Sequence, residues 1–286
     1  MTGLDLPGYE TLRSAQRLWR VRPGLAAPLA ASPAAALLEG EPPPPGPPGT
    51  GRGTVMTLVL AGRAAYAKRG RHGGLAGSLL GDLFWRDGRA RRAVEAAERL
   101  RSAGVATPEV LAAGCRAVHG PLWTYVLVTE AIPRGASLQA LLGEQPLARR
   151  RRRLARGAGR CVRALHDAGF VHADLNLGNL VVADGGEAVS PTGASEVHVI
   201  DLEGGRFRKT VNLGARRRNL KRLLRSYEKW IAPASPLDRR DGFAFLRAYC
   251  GTDQAMFRSL LGDLGGAAGF RLHRLVWRRG RAMAGL

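Results

Sequence analysis

Short apolar stretches over 55–60 and 64–68 flank the turn Ala61-Gly62-Arg63, and this predicts a strand hairpin. At 89–103 a helical period begins. Ala93, Ala96, Ala97 and Leu100 recur at helical spacing and Gly104 supplies a stop, so a helix is predicted there. A further strand is predicted at 125–129, and Pro133 and Gly135 read as a connector after it. Over 147–168, Leu154, Ala158, Cys161, Val162 and Leu165 share one helical face. The arginine run from Arg149 to Arg153 forms a solvated face, and Gly169 stands where a C-cap glycine belongs. The short runs Leu180-Val181-Val182 and Val197-His198-Val199-Ile200 predict a second hairpin. Residues 1 to about 50 are punctuated by prolines and end in Glu41-Pro42-Pro43-Pro44-Pro45-Gly46-Pro47-Pro48-Gly49, which predicts an ill-ordered extension closing in a polyproline-type linker. The last fifty residues have helical texture and no assignable chemistry. Strands first and helices later predict an α+β chain in two lobes: an extension over 1–48, a small antiparallel-sheet lobe over 49–132 and a larger, mostly helical lobe over 133–286.

At 286 residues the chain has room for both lobes. Cys115, Cys161 and Cys250 lie far apart and form no CxxC pair, so buried small apolar side chains are expected, with neither disulfide nor zinc site. No apolar run approaches the ~20 residues that span a bilayer, and the N-terminus carries acids and arginines where a signal-peptide core would stand, so a cytoplasmic location is expected. The formal charge is +21, and Lys68, Lys209, Lys221 and Lys229 are the only lysines among 44 basic residues. Such a surface attracts nucleic acid, anionic lipid or anionic substrates. The five tryptophans are scattered without a stacking platform, so nucleic acid is not the expected partner.

Site chemistry narrows the choice. The loop His172-Ala173-Asp174-Leu175-Asn176-Leu177-Gly178-Asn179 precedes the second hairpin, whose far strand runs straight into Asp201. The hairpin is expected to place Asp174, Asn179 and Asp201 on one rim. Phosphoryl transfer needs a carboxylate to orient the attacking hydroxyl and hard oxygen ligands for a metal on the phosphates. Asp174 is the candidate catalytic residue, and Asn179 and Asp201 are the candidate magnesium ligands. His172 is expected to hydrogen-bond the loop backbone. In the kinase fold a lysine on the third strand holds the phosphates; Lys68 ends the candidate for that strand and is the candidate phosphate lysine, with Glu95 on the following helix as its expected ion-pair partner and Glu98 as runner-up. Gly51 and Gly53, before the first hairpin, are candidate phosphate-approach glycines. Residue by residue a bland reading stands beside each of these, since Asp and Asn dominate turns and a lysine at a strand end is usually solvated.

The loop, the strand ending Val-Ile-Asp-Leu-Glu-Gly-Gly-Arg and the later Arg-Arg-Asn-Leu-Lys-Arg-Leu-Leu-Arg-Ser resemble the bacterial 3-deoxy-D-manno-octulosonic acid (Kdo) kinase and lipopolysaccharide core kinase family. So do Gly51-Arg52-Gly53-Thr54 and Arg71-His72-Gly73-Gly74-Leu75, and the resemblance covers roughly residues 50–230. It implies a bilobal protein-kinase-like fold, ATP and Mg2+ as cofactors, and transfer of the γ-phosphate to a Kdo hydroxyl of Kdo-lipid A at the cytoplasmic face of the inner membrane. The chain would lie there as a peripheral protein, with no obligate protein partner evident. Ala173 stands where protein kinases carry an arginine that reads a phosphorylated loop, and no Ala-Pro-Glu segment follows Asp201, which argues against a protein acceptor. Asn176 stands where antibiotic kinases often put histidine and is a candidate contact to the γ-phosphate or the acceptor sugar. Glu203 resembles the second acid of small-molecule kinases. The stretch from Arg216 to Arg225 sets Leu220, Leu223 and Leu224 against a cationic face suited to an anionic membrane and glycolipid. Rival readings are an aminoglycoside- or choline-type kinase, which needs an acidic pocket, a Ser/Thr protein kinase, and a catalytically silent basic nucleic-acid or membrane-binding protein.

Overall fold

The computed structural model of the protein describes residues 6–41, 55–71, 81–85, 88–186, 195–231 and 239–265. The chain folds as two units, one running to Gly135 and taking in His198–Gly205, the other holding Ala136–Val197 and the chain from Arg206 onward.

The first unit is built on one antiparallel sheet. Its strands are β1 (Glu10–Arg13), β2 (Arg17–Val21), β3 (Val55–Leu60), β4 (Arg63–Arg69), β5 (Phe84–Trp85), β6 (Val110–His119) and β7 (Leu122–Glu130), in the order β1-β2-β6-β7-β4-β3 with β5 beside β7. The predicted hairpin is present, with Val55 opposite Lys68 and Ala61 and Gly62 both at positive φ in the turn. Helix α3 (Gly88–Ser102) turns Ala93, Ala96, Ala97 and Leu100 inward, as their spacing predicted, together with Ala90 and Val94.

Residues 6–41 correct the expectation of an ill-ordered extension. They form β1, β2, α1 (Ala26–Ala30) and α2 (Pro33–Glu39), and β2 pairs with β6 from Arg17↔Arg116 to Val21↔Ala112. Val21, Leu25, Leu29, Leu37 and Leu38 join Met56, Leu58, Leu60, Leu111, Val126 and Val128 in one core. Each such side chain contributes about 1.5–3 kcal/mol relative to exposure. The prolines had suggested breaks, but they punctuate short elements. Ser32 caps α2 by accepting from the Ala34 N–H, and Pro33 takes the first helical position, where a missing N–H costs nothing. The polyproline tract itself lies outside the described residues. Lys68 consequently sits on the fourth strand of the chain.

In the second unit, β8 (Ala136–Ser137) pairs with β10 (Leu180–Val182), and β9 (Phe170–Val171) pairs with β12 (Arg206–Phe207). Between them come α4 (Leu138–Gly143) and α5 (Ala148–Asp167), and β11 (Val197–Val199) leads the chain into the first unit's His198–Gly205 segment, which holds Asp201. Gly169, at φ 83°, ends the α5 turn as its position implied. Helices α6 (Leu213–Trp230), α7 (Arg239–Cys250) and α8 (Gln254–Gly265) follow. Gly157 and Gly159 on α5 let neighbouring backbone come close. A Cβ on Gly159 would lie 2.5 Å from the Phe245 carbonyl oxygen of α7. Arg151 of α5 meets the buried Asp241 of α7 at 2.9 Å. All three cysteines are free and buried, as expected, and burial pushes the Cys161 thiol up to about 12.

Candidate active site

In the first unit, Lys68 Nζ lies 2.9 Å from Asp201 Oδ1 and 3.5 Å from Glu203 Oε1. Burial alone would lower the Lys68 pKa, but the carboxylates of Glu203 and Asp201 outweigh it and hold the ammonium above the usual lysine range. The other oxygen of Glu203 accepts a hydrogen bond from the Tyr125 hydroxyl. Asp201 adopts a left-handed backbone at φ 61° and ψ 54°, a conformation that costs a non-glycine residue energy and collects at functional positions. The strand leading to it is tied down on both sides: Val199 N–H donates to Ala106 O at 2.9 Å and the Thr107 hydroxyl donates to Val199 O at 2.7 Å.

In the second unit, the loop after β9 is held from beneath by a buried polar network. Asn219 of α6 grips the His172 peptide frame, accepting from its N–H at 3.1 Å and donating to its carbonyl at 2.9 Å. Its amide oxygen also accepts from His166 Nε2 at 3.2 Å, which leaves His166 Nδ1 to accept from the Tyr249 hydroxyl at 2.8 Å. Arg216 backs this chain by donating to Tyr249 and to Asp167. His172 does what was expected of it: its Nδ1 accepts from the Asp174 N–H at 3.0 Å, so its ring is a loop support. Above this layer the Asp174 side chain is 70 % exposed, with Oδ2 accepting from Asn176 Nδ2 at 3.0 Å and Arg222 3.9 Å from Oδ1. Asn179 donates its amide nitrogen to the Asp174 carbonyl at 2.8 Å.

The first unit thus brings a lysine against two carboxylates, and the second holds a solvated, braced aspartate. The family model for the lipopolysaccharide kinase (Kdo/WaaP) family matches residues 48–249. The chain belongs to that family. A 3-deoxy-D-manno-octulosonic acid kinase of Vibrio cholerae serotype O1 is 32% identical over 206 residues, covering 70% of this chain and 80% of the relative. The enzyme of the same name from Vibrio parahaemolyticus serotype O3:K6 is 32% identical over 186 residues, 63% of this chain and 71% of the relative. The fold matches a solved structure of WaaP in complex with acyl carrier protein, with a TM-score of 0.59 and 23% identity over 89% of this chain and 95% of that one. The chain is thus a phosphotransferase of the lipopolysaccharide kinase type, and the expected kinase-like α+β fold is present.

Within this family framework the candidate residues fall in different places. Gly51 and Gly53 lie outside the described residues. Asn176 has a task the sequence had not assigned. Its Oδ1 accepts from the Gly178 and Asn179 N–H groups and its Nδ2 holds Asp174, so it caps the turn and braces the Asp174 side chain. The expected Lys68–Glu95 pair is not formed: Glu95 takes Arg91 one turn earlier on α3 at 2.7 Å, and Glu98 takes Arg22 and Tyr9. Lys68 is served by acids from the segment after β11. Asn219, His166, Tyr249 and Tyr125 were missed. A signal for Asn219 existed, because it shares the buried stripe of α6 with Ala215, Leu220, Leu223 and Tyr227, where a lone amide needs partners. The opposite stripe, Arg218, Lys221, Arg222, Arg225 and Lys229, is exposed, and Arg222 brings it to Asp174.

Proposed function

We propose that this chain transfers the γ-phosphate of ATP to a hydroxyl of Kdo in the lipopolysaccharide inner core, with Kdo-lipid A as acceptor. The observation that carries this reading is the exposed Asp174 carboxylate, braced by Asn176 and standing beside Arg222 at the head of a cationic stripe. Asp174 accepts the proton of the attacking hydroxyl, and Lys68 neutralises charge on the phosphates. The exposed cations of α6 take the carboxylate and phosphate groups of the acceptor and the anionic surface in which it sits.

The proposed reaction includes magnesium. Asp201 in the first unit would offer a carboxylate oxygen, and Asn179 in the second is a candidate amide-oxygen ligand; this ion characteristically takes one or two carboxylates with phosphate oxygens and water completing the shell. When bound, it would neutralise charge growing on the phosphate oxygens. On the same reading the protein is peripheral, on the cytoplasmic face of the inner membrane. Among the described residues no helix is long and apolar enough to cross a bilayer, and the α6 stripe provides reversible docking. An aminoglycoside-type acceptor is disfavoured by the Arg222 cation beside Asp174. No obligate protein partner enters the transfer step, although the WaaP relative was solved with acyl carrier protein.

The test offers radiolabelled ATP and magnesium to the purified chain with Kdo-bearing lipid A, an aminoglycoside and a generic protein in parallel. Label is expected on the lipid alone, and Asp174→Ala and Asp201→Ala are each expected to abolish it while the protein stays folded. Wild-type transfer by Asp174→Ala would sink the mechanism, and label on another acceptor would sink the substrate assignment.

A further inference from the structure

Lys68 has two acids within reach, and they are held very differently. Asp201 is 37 % exposed and touches Lys68 with one oxygen. Glu203 is 9 % exposed, with one oxygen toward Lys68 and the other accepting from the Tyr125 hydroxyl. Tyr125 is itself fixed on three sides. Gly70 N–H donates to its carbonyl at 3.0 Å, the Phe84 ring lies 4.8 Å from its own, and its ring rests on the backbone of Gly70. A Cβ on Gly70 would come within 2.1 Å of the ring and 2.6 Å of the hydroxyl, so only glycine admits this side chain here. The seat, the ring, the carboxylate and the ammonium form one continuous line, and β4 and β7 hold it in register through Lys68↔Leu127 and Arg69↔Val126.

We infer that Glu203, clamped by Tyr125 over Gly70, is the fixed counter-ion that positions Lys68 for phosphate, in the place the α3 glutamate Glu95 was expected to fill. Asp201 is thereby left to exchange its lysine contact for metal, whereas Glu203 keeps it. Glu95 needs no such role, since its carboxylate is engaged within its own helix. Glu203 and Tyr125 are positioning residues that act through Lys68. The inference rests on the reading of Lys68 as the phosphate lysine.

The decisive measurement is calorimetric titration of the purified full chain with the non-hydrolysable ATP analogue AMP-PNP and magnesium, paired with Michaelis constants in the transfer assay. Glu203→Gln is expected to weaken analogue binding and raise the ATP KM about tenfold or more, as loss of a charge-assisted contact implies. Tyr125→Phe keeps the packed ring and deletes only the hydroxyl, so a smaller effect of the same sign, about threefold, is expected. Glu95→Gln is expected to stay within about twofold of wild type, and no variant should move the acceptor KM. If Glu203→Gln unfolds the first unit, Tyr125→Phe set against Glu95→Gln carries the comparison. Wild-type nucleotide affinity in Tyr125→Phe and Glu203→Gln, or a loss in Glu95→Gln equal to theirs, overturns the inference while leaving the kinase reading intact. A wild-type chain that binds no nucleotide overturns both.

Discussion

Asn219 occupies one position on α6 and satisfies three buried groups of the second unit, the His172 N–H, the His172 carbonyl and His166 Nε2. Truncation leaves all three without that partner, each costing about 1–3 kcal/mol if water cannot replace it. Asn219→Ala is therefore expected to lower the melting temperature and to cut kcat about tenfold or more, because a loosened loop misplaces Asp174. Single-turnover kinetics beside a thermal melt separates the two effects, and unchanged kcat in a destabilised protein would reduce Asn219 to a structural residue. The same network sets a pH limit. Burial pushes His166 down to about 4, with the Asn219 hydrogen bond opposing, Arg216 repelling, Asp167 attracting and His172 repelling. In the unfolded chain a histidine titrates near ~6.5 and takes up a proton that the folded ring refuses. Stability from the neutral ring is fully present above the unfolded value and is lost as pH falls toward the folded one, by about 3 kcal/mol in all. Urea unfolding at pH 7 and pH 5.5 should show the loss in wild type and a flatter dependence in His166→Asn.

At the scale of elements, legibility in the sequence followed periodicity. The β3–β4 hairpin shows short apolar stretches around a glycine turn, α3 and α5 show helical spacing, and all appear within a residue or two of their expected bounds. The run Val110–His119 was unreadable because β6 is buried on both faces over its first six residues, so alternation is absent. The segment holding β1, β2, α1 and α2 was misjudged because its prolines stand at helix starts and turns. At the candidate site, Lys68, Asp174, Asn179 and Asp201 could be singled out from motif spacing, and the structure shows Lys68 against Asp201 in the first unit and Asp174 and Asn179 in one loop of the second. The Glu203–Tyr125 clamp was not, since it joins residues 78 apart in the chain. Helix packing can be tested at Gly159, where a Cβ would also lie 3.1 Å from the Tyr249 backbone nitrogen. Alanine favours helix over glycine by about 1 kcal/mol. The clash with backbone is expected to outweigh that gain, so Gly159→Ala should destabilise by about 1–3 kcal/mol in urea unfolding. A stabilised variant would show that α5 and α7 pack less tightly than these distances say.

The whole molecule carries +21, and salt acts on that charge in two opposite ways. Like charges spread over the surface repel one another and oppose the folded state, and screening with a Debye length near ~10 Å at 0.1 M relieves this. The melting temperature is expected to rise as salt increases from about 0.02 M to about 0.3 M. Attraction of the α6 stripe to an anionic surface is weakened by the same screening, so binding to vesicles containing anionic lipid is expected to fall over that range. The stripe's share can be isolated, since Arg218, Lys221 and Arg225 are exposed and none carries Asp174. At about 1 kcal/mol per basic residue near such a surface, replacing these three with alanine should weaken vesicle binding roughly a hundredfold at low salt. Sedimentation with anionic and with neutral vesicles measures it. An equal loss of binding to neutral vesicles would place the contact in the apolar residues, and no loss to either would move docking away from α6.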